Sequence, residues 1–186
     1  RSCSPTCSTT LTAQKKTYTL GSLPQRTGSY VILDQVKDPG NLGTIIRTAQ
    51  AAGAKGVILT KESADPFSPK AVRSSMGAIF HLPIVTGAGN EEILAYLRRR
   101  KLPLFVAGLN SSAQRYYDAA LPPCSALCFG SEALGGSEDF CRAGKILYIP
   151  MEGEVESLNV AQAAAIMIYE WRRQMAAAPQ APQRPA

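Results

Sequence analysis

The sequence predicts an α/β domain, a parallel sheet flanked by helices. Three observations predict it. Short apolar runs of the kind carried by strands buried on both faces recur along the chain. Segments with helical spacing separate them, which is the alternation of βαβ units. Four of the runs lead straight into loops containing Gly or Pro: DQVKDPGN, GLNSS, GSEALGG and PMEGEVESLN. In such sheets ligands bind at the carboxyl ends of the strands, so these loops are where chemistry is expected.

Residues 1–28 are rich in Ser, Thr and Pro, lack periodicity and read as a linker or arm. YVIL at 30–33 is the first buried strand. Asn41 opens a helix that runs to about Ala52, with Gly53 closing it. GVILT at 56–60 is the second strand, and residues 68–77 read as helix. The third strand lies within 81–86, the next helix at 91–100, and PLFVAG at 103–108 is the fourth strand. SALCFG at 125–130 and KILYIP at 145–150 are the fifth and sixth. The last helix spans 159–173, with Val160, Ala163, Ala164, Met167, Ile168 and Trp171 on one stripe. The domain is therefore expected over 29–174, and 175–186 as a disordered Pro/Ala-rich tail.

The chain has 186 residues, enough for one domain with its own core. It opens on Arg1, and 1–29 has no apolar signal core, so it reads as a fragment or processed form of something longer. No apolar run is long enough to span a bilayer. The net charge of +6 belongs to the ends. Residues 1–29 carry four bases and no acid, and 172–186 three bases and no acid, which leaves 30–171 with 13 bases against 14 acids. The basic total is thus a weak pointer to nucleic acid. Five cysteines, an odd number, fit reduced thiols and a cytoplasmic setting. With loose Cys spacing and His81 as the single histidine, no metal site is expected.

Several chemistries are excluded. The loop after the first strand is not G-x-G-x-x-G, there is no P-loop, and no G-x-S-x-G elbow accompanies His81. Three motifs remain. In the first, Asp38-Pro39-Gly40-Asn41-Leu42-Gly43 precedes Ile45-Ile46-Arg47-Thr48-Ala49. Asn41 can cap the helix. Arg47 is either part of a solvated stripe or a group that reads phosphate. In the second, Gly130-Ser131-Glu132-Ala133-Leu134-Gly135, Glu132 either orients a ligand hydroxyl or amine or sits in a surface turn. In the third, Ile149-Pro150-Met151-Glu152-Gly153 leads to Ser157-Leu158-Asn159-Val160. There Ser157 or Asn159 can cap the last helix, and Ile149, Met151 and Leu158 can form an apolar slot for a purine-sized ring.

Taken in order, D-P-x-N-L-G-x-x-x-R-T-A, G-x-E-x-x-G and I-P-M-x-G-x-x-x-S-L-N-V resemble the three signature motifs of the SpoU (TrmH-like) RNA ribose 2′-O-methyltransferases of the SPOUT superfamily. The resemblance spans Tyr30 to Trp171. Ser131 and Ala133 depart from the family's second motif, and Ala161 stands where a small polar residue is common.

The resemblance implies a C-terminal deep trefoil knot and an S-adenosylmethionine cofactor. It implies a pocket lined by Gly108, Leu109, Gly130, Ile149, Met151 and Leu158, and a catalytic group of Asn41, Arg47, Glu132, Ser157 and Asn159. It also implies a homodimer, for which the stripe on the last helix would supply a surface. RNA is the implied partner. Ribosomal RNA is favoured over transfer RNA, because many relatives carry an N-terminal RNA-binding domain to which 1–28 would be the link. A guanidinium stays protonated at working pH, so Arg47 is expected to clamp a phosphate beside the target ribose rather than act as base. The alternatives are a non-catalytic RNA scaffold that keeps the fold, a transfer-RNA ribose methyltransferase and a guanine-base methyltransferase. The basic run Arg98-Arg99-Arg100-Lys101 ends a helix, where the dipole favours cations, and it can also contact phosphates.

Overall fold

Seven strands, all paired in parallel, form one sheet in the order β3-β2-β1-β6-β4-β7-β5. The computed structural model describes residues 16–24, 28–130, 135–152 and 157–177. The strands are β1 (Tyr30–Leu33), β2 (Gly56–Thr60), β3 (Ile84–Ala88), β4 (Leu104–Ala107), β5 (Gln114–Arg115), β6 (Ala126–Phe129) and β7 (Lys145–Tyr148). The helices are α1 (Pro39–Ala51), α2 (Pro69–Ser75), α3 (Asn90–Arg99), α4 (Glu138–Ala143) and α5 (Val160–Ala177).

The apolar runs are continuous because both faces of the sheet are covered. Side chains alternate along each strand. Val31 and Leu33 of β1 therefore join Leu127 and Phe129 of β6 in a core closed by α1 and α5. Tyr30 and Ile32 join Ala126 and Cys128 in a second core closed by α3 and α4. Gly43 sets the α1–α2 approach, since a Cβ there would lie 2.0 Å from Ser74 Oγ and 2.4 Å from the Ala71 carbonyl oxygen.

Several boundaries differ from the sequence reading. α1 begins at Pro39 with Asp38, not Asn41, as its cap. Pro suits the first helical position and the Asp38 carboxylate accepts from Asn41 N at 2.8 Å, so Asn41 falls in the first turn rather than at the cap. Gly53 does follow α1 at φ 82°. The third strand starts at Ile84, because Ala78–Phe80 forms a 3-10 turn that His81 closes and Pro83 has no N–H for the ladder. Neither the two-residue edge strand β5 nor the six-residue α4 was foreseen.

α5 continues to Ala177, into the segment expected as tail, and its stripe is covered by this chain's own core. Trp171 Nε1 donates to the Pro122 carbonyl at 3.1 Å, so the stripe is not the free dimer surface that was expected. The described part of the arm packs on the domain. Tyr18 bridges Val85, and Leu20 and Leu23 are buried.

Candidate active site

The strand order decides which loops meet. β6 lies between β1 and β4, and β7 lies on the far side of β4. The carboxyl ends of β1, β6, β4 and β7 are therefore four neighbours in space, although 115 residues separate Leu33 from Tyr148 in the chain. All three sequence motifs leave from these ends.

The first and third motifs touch. Asn159 Nδ2 donates to Asn41 Oδ1 at 3.1 Å across 118 positions. Asn159 Oδ1 also accepts from Ala161 N at 2.9 Å, which makes Asn159, rather than Ser157, the cap of α5. Two helix N-termini, α1 and α5, are thus joined through their motif asparagines. Asp38 completes the corner. Its carboxylate binds Lys70 Nζ at 2.6 Å, and that ammonium, with the Asn41 N–H, holds the Asp38 carboxyl below its ordinary value.

Arg47 is not drawn into the asparagine pair. It follows Asn41 by six positions on α1, about 9 Å farther along the axis and about a third of a turn away in direction. It is exposed and forms no ion pair with any described residue. Ser157 is exposed just before α5. Glu132, with Ser131 and Ala133, lies outside the described residues, as do Glu154 and Glu156.

Five of the six expected cofactor residues follow three adjacent strands, β6, β4 and β7, and Leu158 lies just before α5. Gly108 N donates to the Leu147 carbonyl at 3.0 Å, which extends the β4–β7 pairing by one residue. Beyond it Leu109 is 77% exposed, and at the end of β7 Met151 is 39% exposed, with Ile149 and Leu158 half-buried. Large apolar side chains left open around strand ends suit a flat apolar ligand. Gly130, expected in the cofactor pocket, is also closely packed: a Cβ on it would lie 1.7 Å from the Gly135 carbonyl oxygen, so Gly135 lies directly against this residue. Gly135, at φ 66°, in turn lies against Ala107 and Gly108.

The sequence reading missed Asp34. This side chain is 1% exposed at the end of β1. Its Oδ2 accepts from Ser137 N at 2.7 Å, and its buried Oδ1 has no hydrogen-bond partner among the described residues. Asp34 thereby ties the end of β1 to the segment that follows the second motif. Burial, reinforced by the Asp34 charge, pushes the Cys128 and Cys141 thiols up. The available signal was a carboxylate set directly after a buried strand, in YVILD. Among the described residues no group of three or more His, Cys, Asp and Glu side chains is arranged to hold a metal, and no helix is long and apolar enough to cross a membrane.

Residues 28–169 match the SpoU rRNA Methylase family. The chain is 40% identical over 154 residues to the 23S rRNA (guanosine(2553)-2′-O)-methyltransferase RlmP of Bacillus subtilis, covering 76% of this chain and 57% of that protein. It is 35% identical over 149 residues to the 23S rRNA (uridine(2479)-2′-O)-methyltransferase of Streptomyces viridochromogenes, covering 77% and 52%. The chain thus spans just over half the length of these relatives. Its structure is similar to that of an AdoMet-bound rRNA methyltransferase from Sinorhizobium meliloti, with a TM-score of 0.81 and 37% identity over 87% of this chain and 62% of that one.

Proposed function

We propose, from the premise that this chain belongs to the SpoU rRNA Methylase family, that it transfers a methyl group from S-adenosylmethionine to a ribose 2′-hydroxyl in ribosomal RNA. One observation carries the reading. The hydrogen bond between Asn41 and Asn159 brings the first and third motifs together at the strand ends where the second motif also departs. The family match and the rRNA-directed relatives support ribosomal over transfer RNA.

The residues present fit the cofactor. Leu109 and Met151 offer exposed apolar surface for a purine ring, with Ile149 and Leu158 beside them. The carboxylates in the surrounding loops suit a ligand that carries positive charge. When bound, the cofactor supplies a sulfonium methyl as electrophile. The protein's tasks are to hold the ribose hydroxyl in line and to ease departure of its proton. Asn41 and Asn159, already locked to each other, position the ribose or the methionyl end together with Ser157 and Glu132. Arg47, exposed and without an ion-pair partner among the described residues, clamps the phosphate beside the target ribose. Its positive charge favours the alkoxide as the hydroxyl proton leaves.

A homodimer with the site near the subunit interface and a C-terminal deep trefoil knot belong to the same proposal. So does a cytoplasmic setting, which the free thiols of Cys124, Cys128 and Cys141 support.

Calorimetric titration of S-adenosylmethionine is the first test. One saturable site per chain is expected, followed by a 2′-O-methyl mark in ribosomal RNA that blocks alkaline cleavage at the next phosphodiester. A folded chain that binds no S-adenosylmethionine overturns the enzyme reading in favour of a scaffold. Arg47→Lys should slow transfer; a variant with the parental rate and pH profile removes any specific guanidinium role.

A further inference from the structure

The basic run at the end of α3 takes no part in the site, and the fold explains where it lies. In a parallel sheet all strands begin at one edge. α3 returns from the site edge to that starting edge, so Arg98, Arg99, Arg100 and Lys101 project beside the strand starts. Lys55 directly precedes β2 and Lys145 opens β7. Backbone bonds tie these starts together: Ala126 N to the Pro103 carbonyl, Tyr30 N to the Ser125 carbonyl, and Lys55 N to the Ser29 carbonyl, each 2.8–2.9 Å. Six cations from three separate segments therefore share one edge.

The carboxylates are elsewhere. Among the described residues, all but Glu170 sit in loops that leave strands or at the N-terminal ends of helices. Glu170, on the opposite face of the sheet, is held by Arg173 and Gln174. The four ion pairs among the described residues use none of the six cations.

Two of the guanidiniums are also held in place. Arg99 and Arg100 lie 5.8 and 5.7 Å from the centre of the Tyr96 ring, and Arg100 Nη1 donates to Tyr96 Oη at 3.2 Å. Tyr96 is itself buried, edge-on to Tyr30. The helix dipole favours cations here, but it does not require that they go unpaired or be stacked on a buried ring.

We infer that this starting edge is an RNA-binding surface that grips the phosphates of a segment flanking the target nucleotide. The choice of RNA as the polyanion rests on the methyltransferase reading. The site edge mixes its cations with most of the described carboxylates, so beyond the phosphate that Arg47 would hold, it attracts the RNA backbone less than the starting edge does. The basic edge supplies that attraction from about 13 Å away, the length of a four-residue strand. An RNA that spans both edges is anchored at one and modified at the other.

The test is the triple variant Arg98→Gln/Arg99→Gln/Lys101→Gln, read by fluorescence anisotropy with a labelled mixed-sequence RNA and total bacterial ribosomal RNA as competitor. Three lost phosphate contacts lower the slope of log affinity against log salt by about 2, and weaken binding roughly 10- to 50-fold at physiological salt. The charge-preserving variant Arg98→Lys/Arg99→Lys/Lys101→Arg should keep most of the affinity and the whole slope. The S-adenosylmethionine titration should be unchanged in both, which also reports that they are folded. Parental affinity and slope in the triple Gln variant overturn the surface. So does a chain that binds S-adenosylmethionine yet shows no salt-dependent RNA affinity, an outcome that leaves the methyltransferase reading standing. Weakened RNA binding in a chain that never takes up S-adenosylmethionine supports the surface and sinks the enzyme reading instead.

Discussion

One methyl group, added in turn at Gly108 and Gly130, separates the proposed contact with the cofactor from close backbone packing at the end of β6. Among the described residues, a Cβ on Gly108 would meet only Ile146 Cγ2, at 3.6 Å, an ordinary van der Waals contact. Gly108→Ala should therefore fold and melt like the parent. If Gly108 faces S-adenosylmethionine, the methyl instead meets the ligand. An overpacking penalty of about 1–3 kcal/mol corresponds to roughly 5- to 150-fold weaker binding. A Cβ on Gly130 would lie 1.7 Å from Gly135 O, 2.1 Å from Gly135 C and 2.4 Å from Gly136 N, all of them backbone. No side chain can swing away, so the Gly135–Gly136 backbone must shift by more than about 1 Å. That displacement costs about 1–3 kcal/mol of stability or more, and lowers the melting temperature by about 3–10 °C in a chain of this size. Gly130→Ala should lose stability and cofactor affinity together, whereas Gly108→Ala should lose affinity alone. Calorimetric melting and S-adenosylmethionine titration of the two variants decide the matter. Parental affinity in Gly108→Ala refutes the placement of the cofactor at the end of β4, and parental melting in Gly130→Ala refutes the packing argument.

Asn159→Asp keeps an oxygen for the Ala161 N–H but loses the amide donor to Asn41. Melting should hold while methyl transfer falls about 3- to 10-fold, as for one lost hydrogen bond, whereas Asn159→Ala should also lose about 1 kcal/mol of stability with the cap. Arg173 and then Gln174 hold the Glu170 carboxyl below its ordinary value, against the opposing effect of burial. The folded-state value is depressed, so the contribution is present above the ordinary carboxylate range and is lost as pH falls through it. Glu170→Gln should thus destabilise by at most about 1 kcal/mol at neutral pH, because Arg173 is largely exposed. The gap in denaturant midpoints should close in acid, and an equal gap at both pH values contradicts the linkage. Asp34→Asn removes a charge that, after burial, raises the Cys141 thiol. The pH midpoint of Cys141 alkylation should move down yet stay above that of a free thiol, and an unmoved midpoint means that the Asp34 charge is not felt there.

The departures from the sequence reading have identifiable causes. α4 has six residues and β5 two, too few to show a period. Asn41 reads as a cap because Asn is a common one, but Asp38 followed by Pro39 is a better start, and the helix begins there. The stripe on α5 was recognised correctly as apolar. What covers it, the core of its own chain, is a matter of tertiary contact. Asp34 carries no distinctive local signal because a carboxylate after a strand is ordinary in a loop and becomes informative only once it is known to be buried, with one oxygen lacking a partner among the described residues.

The sequence by itself determined the parallel α/β architecture and the motif residues. Apolar runs, helical spacing and capping chemistry act over a few neighbouring positions, and these local terms decide which segments become strand or helix. Only the tertiary structure decided that β6 inserts between β1 and β4, that Asn41 meets Asn159, and that the cations at the end of α3 lie on the edge away from the site. Those outcomes depend on which buried faces pack against each other across separations from 22 positions (Phe105 and Leu127) to 118 (Asn41 and Asn159). The free energy of that packing is shared over the whole core, so no local pattern in the chain records it.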